Sequence, residues 1–183
     1  MEGVAWAIEE APADPAERML AGRMLLRRLA GEQLGLAPEL VPLEARCPDC
    51  GGPHGRPVVT GSELRVSLSR CAAGIVAVAV WGRDIGVDVE ARADEAGRLA
   101  AIREVAGGGG LAHWTRVEAV LKADGRGLRV DPRTVGIVAD GDGILTATVA
   151  DTGRRYRILE PALDPHLAPV LQLSIALASR PPR

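Results

Sequence analysis

Phenylalanine is absent from the sequence, and aromatic residues make up only 2% of the chain. Because 47% of the residues are nevertheless hydrophobic, the core must consist mainly of valine, leucine, isoleucine and alanine side chains. So few aromatic rings leave few platforms for stacking nucleotide bases. The net charge of -2 and the lack of a block of basic residues also argue against a general nucleic-acid-binding protein. We therefore expect no nucleic-acid partner.

Features of exported and membrane proteins are also missing. The chain starts Met-Glu-Gly, without the basic region of a secretory signal, and no apolar run approaches the length needed to cross a bilayer. Cysteine is sparse, and its odd count of 3 does not suggest a disulfide framework. We therefore expect a cytoplasmic protein with reduced thiols and no membrane partner. Its 183 residues suit one domain or two small, tightly packed subdomains.

Lysine occurs once, as Lys122, although lysine and arginine together number 22. Trp114, Glu118 and Lys122 are spaced by four residues, so on a helix they form one stripe. Gly125 and Gly127 follow and predict the end of that helix. The simplest interpretation is an exposed Glu–Lys pair, which would contribute only about 0.3 kcal/mol. A second acidic stretch upstream favours a functional interpretation.

That stretch is a predicted strand over residues 85–90. Side chains alternate along a strand, so Val87 and Val89 would face a core while Asp88 and Glu90 project from the other face. Gly86 lies on the carboxylate face and would leave room there. Together with Glu118, these two carboxylates would suit a hard cation such as Mg2+. The alternative is a half-exposed edge strand whose acids are solvated.

A third candidate site surrounds Cys47, Cys50 and His54. The Cys-x2-Cys-Gly turn followed by histidine is similar to a zinc knuckle, and Cys71 could supply a fourth ligand. A second paired motif, which would strengthen the zinc interpretation, is missing. The favoured interpretation is a tight loop, rich in glycine and proline, with reduced thiols that positions Gly55-Arg56-Pro57. A zinc-dependent interaction module remains the alternative.

The first part of the chain is predicted to begin with a loose or edge-strand segment over 1–13. Asp14 and Pro15 then begin a helix whose apolar residues recur at helical spacing until Gly31. A second, short helix is predicted over 32–40. Three adjacent antiparallel strands follow, at 64–68, 75–81 and 85–90.

The second part repeats this layout. A short helix and a glycine-rich hinge are predicted over 91–113, followed by the Trp114 helix and by strands near 134–138, 144–149, 155–159 and 170–177. The repeated order predicts an α+β fold of two similar helix-plus-antiparallel-sheet subdomains, with boundaries at 1–91 and 92–183. The carboxylates of Asp88, Glu90 and Glu118 would then meet at the junction.

Four motifs occur in an order typical of one enzyme family. They are Gly55-Arg56-Pro57, Ser67-Leu-Ser69, Gly86-x-Asp88-Val-Glu90, and Trp114-x3-Glu118-Ala-x2-Lys122 with Gly125-x-Gly127 after it. Over roughly residues 17 to 128 they resemble the 4'-phosphopantetheinyl transferases of the surfactin-synthetase-activating (Sfp) type. The resemblance implies a holo-[carrier-protein] synthase that transfers the 4'-phosphopantetheine arm of coenzyme A to a serine of an apo acyl or peptidyl carrier protein. Adenosine 3',5'-bisphosphate is released.

The resemblance also implies roles for individual residues. Asp88, Glu90 and Glu118 would hold Mg2+, with Mn2+ as the alternative, and Asp88, Glu118 and Lys122 would be catalytic. Coenzyme A would be bound by Arg18, Gly55, Arg56, Pro57, Ser69, Arg70 and Lys122, with Gly55, Pro57 and Ser69 lining the adenine pocket through their backbone. The enzyme would be a monomer, its subdomains related by a pseudo-twofold axis. Its carriers would serve fatty acid, polyketide or nonribosomal peptide biosynthesis.

Two positions depart from the family pattern. Arg70 stands where many relatives have histidine, so phosphate binding is expected to persist without the pH response of an imidazole. Val117 stands where lysine is frequent, which predicts the loss of one pyrophosphate contact and weaker coenzyme A binding. A non-catalytic relative that binds coenzyme A or carriers is therefore a second alternative, although Asp88, Glu90, Glu118 and Lys122 are all retained.

Overall fold

The computed structural model describes residues 3–47 and 49–179, with the backbone alone at 94–96 and 98. In this part of the chain three helices and ten strands are found. The helices are α1 (Pro15–Leu34), α2 (Glu95–Ala106) and α3 (Leu111–Asp124). The strands are β1 (Ala5–Glu10), β2 (Leu43–Glu44), β3 (Val58–Val59), β4 (Leu64–Arg70), β5 (Gly74–Trp81), β6 (Ile85–Ala91), β7 (Val135–Ala139), β8 (Leu145–Val149), β9 (Arg155–Leu159) and β10 (Leu171–Ala178). The predicted mixture of helices and antiparallel strands is confirmed.

Helix α1 begins where the sequence predicts. The Asp14 carboxylate accepts hydrogen bonds from the backbone N–H groups of Ala16 and Glu17, both at 2.9 Å. Pro15 occupies the first helical position, where its missing N–H costs nothing. The N-terminus of the helix is therefore capped by local sequence alone.

The end of α1 differs from the prediction. The helix continues through Gly31 to Leu34 and stops at Gly35, whose φ of 67° is left-handed. Gly31 is needed for packing, because a Cβ atom there would lie 2.6 Å from the carbonyl oxygen of Leu36. The helix predicted over 32–40 is accordingly wrong, and only a single 3-10 turn follows, at Pro38–Leu40.

The first sheet has the order β1-β5-β4, and all of its pairs are antiparallel. Alternate residues of β5 face opposite layers. Ile75, Ala77 and Ala79 pack against buried leucines of α1, whereas Val76 and Val78 belong to a core shared with β6 and β10. This sheet therefore lies between α1 and the second sheet, and β1 forms its edge, as the N-terminal pattern indicates.

Strand β6 does not join this sheet, which corrects the prediction of three adjacent strands. Both edges of β5 are already occupied, by β1 and by β4, so β6 pairs with β10 in a second sheet of order β6-β10-β9-β8-β7. The N–H groups of Val87 and Val89 donate instead to the hydroxyl oxygens of Ser67 and Ser69 on β4, each at 3.2 Å. Serine side chains thereby satisfy the free edge of β6.

Helix α3 packs on the outer face of the second sheet. A Cβ atom at Gly86 would lie 2.1 Å from the carbonyl oxygen of Ala119, so glycine permits the close approach of α3 to β6. Thr115 on α3 contacts Ser174 on β10 through their hydroxyls, at 2.9 Å. The same sheet face carries Asp88, opposite Ser174 in the strand register. No helix in the described residues is long and apolar enough to cross a bilayer.

Candidate functional site

Asp88, Lys122 and Ser69 form the centre of the site. The Lys122 ammonium donates to Asp88 Oδ1 at 2.6 Å and to Ser69 Oγ at 3.0 Å. Ser69 also donates from its hydroxyl to Asp88 Oδ1, at 2.9 Å. Only 7% of the Asp88 side chain is exposed, compared with 31% of Lys122, so the lysine separates a buried carboxylate from solvent. Ser69, expected to line an adenine pocket through its backbone, therefore contacts the acidic strand with its hydroxyl.

The second oxygen of Asp88 is the least satisfied polar atom of this centre. Asp88 Oδ2 is buried, and no hydrogen-bond donor reaches it within the described residues. A buried acceptor without a partner costs about 1–3 kcal/mol, and more when it is charged. A cation bound at Oδ2 would remove this cost while Oδ1 keeps its bonds to Lys122 and Ser69. The centre thus fits a hard metal ion that takes oxygen ligands.

Two further carboxylates lie near Asp88, and both were predicted. Glu118 is one helical turn before Lys122 on α3, and Glu90 follows Asp88 by two residues on the same strand face. Burial raises the pKa of Glu118; Lys122 lowers it, and the charges of Asp88 and Glu90 raise it, with a net upward shift. Glu118 therefore interacts electrostatically with Lys122, Asp88 and Glu90. Within the described residues, however, Asp88, Glu90 and Glu118 do not form a group whose ligand oxygens all lie within 4.8 Å of one another, so binding one cation through all three would require side-chain movement.

A cleft of about 1090 Å³ opens beside this centre. It lies between α1, the loop that precedes β3, strand β4 and the end of α3. Among the described residues that line it, seven are arginines and only Asp49 is acidic. The arginines are Arg23, Arg27, Arg46, Arg56, Arg70, Arg126 and Arg129. Lys122 lines the cleft as well, so the cleft ends at the acidic centre. A concave basic surface of this kind attracts ligands that carry several phosphates.

Of the arginines predicted to bind the nucleotide, Arg56 and Arg70 line the cleft. Burial, and then the positive charge of Arg23, lower the pKa of Arg70. In the part of the chain that is described, no carboxylate forms an ion pair with Arg70, so its guanidinium is available to a phosphate. Arg56 donates to Asp84 at 3.2 Å and packs against Gly125.

The structure does not bring Arg18 to the cleft. Its guanidinium donates to the backbone carbonyls of Pro12, at 3.1 Å, and Ala13, at 3.0 Å, just before α1. Gly55 and Pro57, by contrast, both line the cleft. Gly55 is needed there, because a Cβ atom would lie 2.1 Å from the carbonyl oxygen of Arg46.

Val117 lies in the core and not in the cleft. Its side chain is fully buried among residues of α3 and the second sheet, including Val135 and Tyr156. The position therefore faces away from the ligand surface, and the structure offers no reason for the weaker coenzyme A binding that the sequence pattern predicts.

Cys47, Cys50 and His54 are close together on the loop that forms one wall of the cleft. Their ligand atoms all lie within 4.8 Å of one another, and Cys50 Sγ is 2.9 Å from His54 Nε2. Cys71 is not part of this group. It packs beside the core between the two sheets, where burial raises the pKa of its thiol.

Several site residues were not singled out from the sequence. Arg23 and Arg27 occupy one face of α1 at a spacing of four, a signal that could have indicated a shared surface. Arg46, Arg126 and Arg129 come from separate loops, and only the fold brings them to the cleft. Spacing along the chain contains no information about that convergence.

No protein-family model matches the chain, and no curated protein matches it. The case for a function therefore rests on the residues of the acidic centre and the basic cleft.

Proposed function

We propose that the protein is a 4'-phosphopantetheinyl transferase that converts apo carrier proteins to their holo form with coenzyme A and Mg2+. The observation that carries the proposal is the position of Lys122, which contacts Asp88 and also lines the basic cleft. A cation site and a polyphosphate site are thereby adjacent. Phosphoryl transfer needs this combination, because its catalysis depends on positioning and on neutralising charge.

Coenzyme A fits the cleft in charge and in size. Its nucleotide end carries a 3'-phosphate and a pyrophosphate, and seven arginines line the cleft, of which Arg126 and Arg129 already form ion pairs with carboxylates. The cleft volume of about 1090 Å³ is slightly above that of typical ligand sites. Arg70 and Arg56 can bind phosphate oxygens with two N–H groups each. Lys122, at the acidic end, is a compact charge suited to the pyrophosphate.

The acidic centre would hold the metal ion through Asp88, Glu90 and Glu118. Mg2+ bound there would neutralise the pyrophosphate and stabilise the charge that develops during transfer. Asp88 Oδ2 would be the ligand atom, because it is buried without a hydrogen-bond partner while Oδ1 is engaged by Lys122 and Ser69. Ser69 therefore acts as a positioning residue for the Asp88 carboxylate.

In the reaction, the serine oxygen of the carrier forms a bond to the phosphorus next to pantetheine. The bond from that phosphorus to the bridging oxygen breaks, and adenosine 3',5'-bisphosphate leaves. Glu118 accepts the serine proton directly or through a water molecule, and the water route suits a carboxylate that also holds a cation, because the bound cation makes the carboxylate itself a poorer base. Lys122 stabilises the negative charge on the transferred phosphoryl group.

On this proposal the chain has two related subdomains, predicted as 1–91 and 92–183, although β6 pairs with β10 and so joins the sheet of the second one. The arrangement of α1 on the first sheet and α3 on the second supports a pseudo-twofold relation. One chain supplies both the acidic centre and the cleft, so the protein would act as a monomer, and in the cytoplasm, where carrier proteins and coenzyme A are found.

Intact-mass analysis of an apo carrier protein tests the proposal. We expect incubation with the protein, coenzyme A and Mg2+ to add one phosphopantetheine arm, and both chelation and Glu118→Gln to abolish the addition. Carriers of fatty acid, polyketide and peptide synthesis should each be tried. If none gains mass although calorimetry detects coenzyme A binding, a non-catalytic relative is indicated. If coenzyme A does not bind at all, the proposal is wrong.

A further inference from the structure

We infer that Cys47, Cys50 and His54 form a zinc site that stabilises one wall of the cleft. Two sulfur atoms and one imidazole nitrogen within 4.8 Å of one another are close to the ligand separations around a tetrahedral zinc ion, which are about 3.3–3.8 Å. Cys50 Sγ and His54 Nε2 are 2.9 Å apart, a hydrogen-bond contact, so the two groups already face each other and would have to separate slightly around an ion. Thiolates and imidazole favour zinc over Mg2+, so this site is chemically distinct from the acidic centre.

The backbone brings these three side chains together. Cys47 and the following glycines form a tight turn, in which the Cys47 N–H donates to the carbonyl of Gly52 at 2.8 Å and the Gly51 N–H donates to the carbonyl of Cys47 at 2.9 Å. The N–H of Gly52 points at Cys50 Sγ, at 3.4 Å, and would stabilise a thiolate. Because Gly55 has no side chain, the backbone there can pass close to the carbonyl of Arg46. This close approach keeps the neighbouring His54 near the two cysteines.

The three residues leave one coordination position for solvent. Within the described residues no other side chain belongs to the group whose ligand atoms all lie within 4.8 Å of one another, although Asp49 Oδ2 lies 3.9 Å from Cys47 Sγ. Cys71 lies elsewhere in the fold. A three-ligand site is weaker than a four-ligand site, but its ligands are held on a single short loop. Zinc would therefore mainly stabilise that loop.

The loop that holds the three zinc ligands also forms part of the cleft. Its residues in the cleft lining include Arg46, His54, Gly55, Arg56 and Pro57. The described residues between β2 and β3 contain no helix or strand, so a bound metal ion would restrict the conformations of this loop. Zinc should therefore strengthen coenzyme A binding by ordering Arg46 and Arg56, and this second step rests on the proposed function.

Metal analysis of the full chain, purified without chelators and supplemented with zinc, tests the site. We expect about one zinc ion per chain, and a thiolate-to-metal charge-transfer band when cobalt replaces it. The double variant Cys47→Ser, Cys50→Ser should lose both, whereas Cys71→Ser keeps both. Circular dichroism identifies a variant that fails to fold, and chelation of the wild type then provides the metal-free form. Absence of zinc in the folded wild type, or its retention in the double variant, would overturn the inference.

Calorimetry with coenzyme A separates the two steps. We expect removal of zinc to weaken binding at least about tenfold, which corresponds to about 1.4 kcal/mol. Unchanged affinity in a zinc-binding protein would overturn the coupling but support the zinc site. A zinc-loaded protein that does not bind coenzyme A would contradict the proposed function and still support the zinc site.

Discussion

A single lysine neutralises a carboxylate that is almost removed from solvent. The Lys122 ammonium lies 2.6 Å from Asp88 Oδ1, and the Asp88 side chain is only 7% exposed. Removing one member of such a pair is more costly than removing one member of an exposed pair, because a buried charge is left without its partner. The i,i+4 stripe correctly placed Glu118 and Lys122 on one helix, but spacing alone suggested that the two pair with each other. In the structure Lys122 forms its ion pair with Asp88 instead, because α3 packs directly on β6.

Lys122→Met tests this residue, since methionine keeps much of the apolar stem and removes the charge. We expect the transfer rate to fall about 100- to 1000-fold, because a charge aimed at the transferred phosphate is lost. Stability should fall by about 1–3 kcal/mol, because Asp88 loses its cationic partner, and Mg2+ should recover part of it. Initial rates from intact-mass analysis measure the loss of transfer activity. Thermal unfolding with and without Mg2+ measures the loss of stability and its recovery. Arg28→Met, which removes an exposed pair with Glu9, is the control. Unchanged turnover would make Lys122 a purely structural residue.

Arg70 and Arg18 are predicted alike from the sequence but differ in their surroundings. Arg70→Ala should raise the KM for coenzyme A roughly tenfold with little change in kcat, because one charged hydrogen-bond donor to phosphate is removed. Arg18→Ala should leave both constants unchanged, because Arg18 bonds the backbone outside the cleft. Steady-state kinetics with saturating carrier compare the two variants. Equal effects of the two substitutions would contradict the assignment of Arg70, and not Arg18, to the ligand-binding cleft.

At the level of elements, periodicity predicted where strands and helices lie but not which of them pair. The final strands were placed within about one residue of their observed bounds, since alternating burial is a local property. The pairing of β6 with β10 joins segments far apart in the sequence, and no local pattern specifies it. Gly86 was correctly placed on the carboxylate face, but the room it leaves is filled by the backbone of α3.

Gly86→Ala tests the contact between β6 and α3. A Cβ atom there would lie 2.1 Å from Ala119 O and 2.4 Å from Ala123 N, so the helix must move away from the strand. We expect a loss of about 3 kcal/mol in the free energy of unfolding, as in other overpacked cores. Transfer activity should fall as well, because Glu118 and Lys122 move away from Asp88. Denaturant titration gives the stability.

Gly97→Ala is the matched control for this substitution. Gly97 is exposed on α2 with no atom within 4 Å of the added Cβ, so alanine there should be neutral or stabilise by up to about 1 kcal/mol. Equal stability of the two variants would show that α3 does not pack on β6 as described.

Across the whole molecule, a chain of charged residues links the end of α3 to the second sheet and to the cleft loop. Arg126 pairs with Asp124 and Asp151, and Tyr156 donates to Asp124 at 3.1 Å. Arg154 continues the chain to Asp84, which holds Arg56. None of these pairs was foreseen, because all of them except the Arg126–Asp124 pair join residues that are distant in sequence. The same reason explains why the cleft itself could not be predicted.

The network predicts a pH dependence of stability. Burial alone would raise the pKa of Asp124, but hydrogen bonds from Arg126 and Tyr156 and the charges of Arg126 and Arg154 outweigh it and lower the pKa below its usual value. A lowered folded-state pKa stabilises the protein above the usual aspartate pKa of about 3.9, and the stabilisation is lost as the pH falls through the folded-state value.

Asp124→Asn should therefore cost about 3 kcal/mol at pH near 7, as expected when one partner of a buried pair is removed. The difference between variant and wild type should shrink at a pH below about 3.9. Urea denaturation at several pH values measures this. A difference that stays constant across the acid range would contradict the assigned ionic role.

The central claim is that the acidic centre and the basic cleft bind one ligand together. The direct measurement is calorimetric titration of coenzyme A with and without Mg2+, for the wild type, Asp88→Asn and the exposed control Glu39→Gln. We expect Mg2+ to strengthen coenzyme A binding at least about tenfold, or about 1.4 kcal/mol, in the wild type and the control. In Asp88→Asn coenzyme A should still bind, but the effect of Mg2+ should disappear. Binding that is indifferent to Mg2+ in the wild type, or a full Mg2+ effect in Asp88→Asn, would contradict the claim.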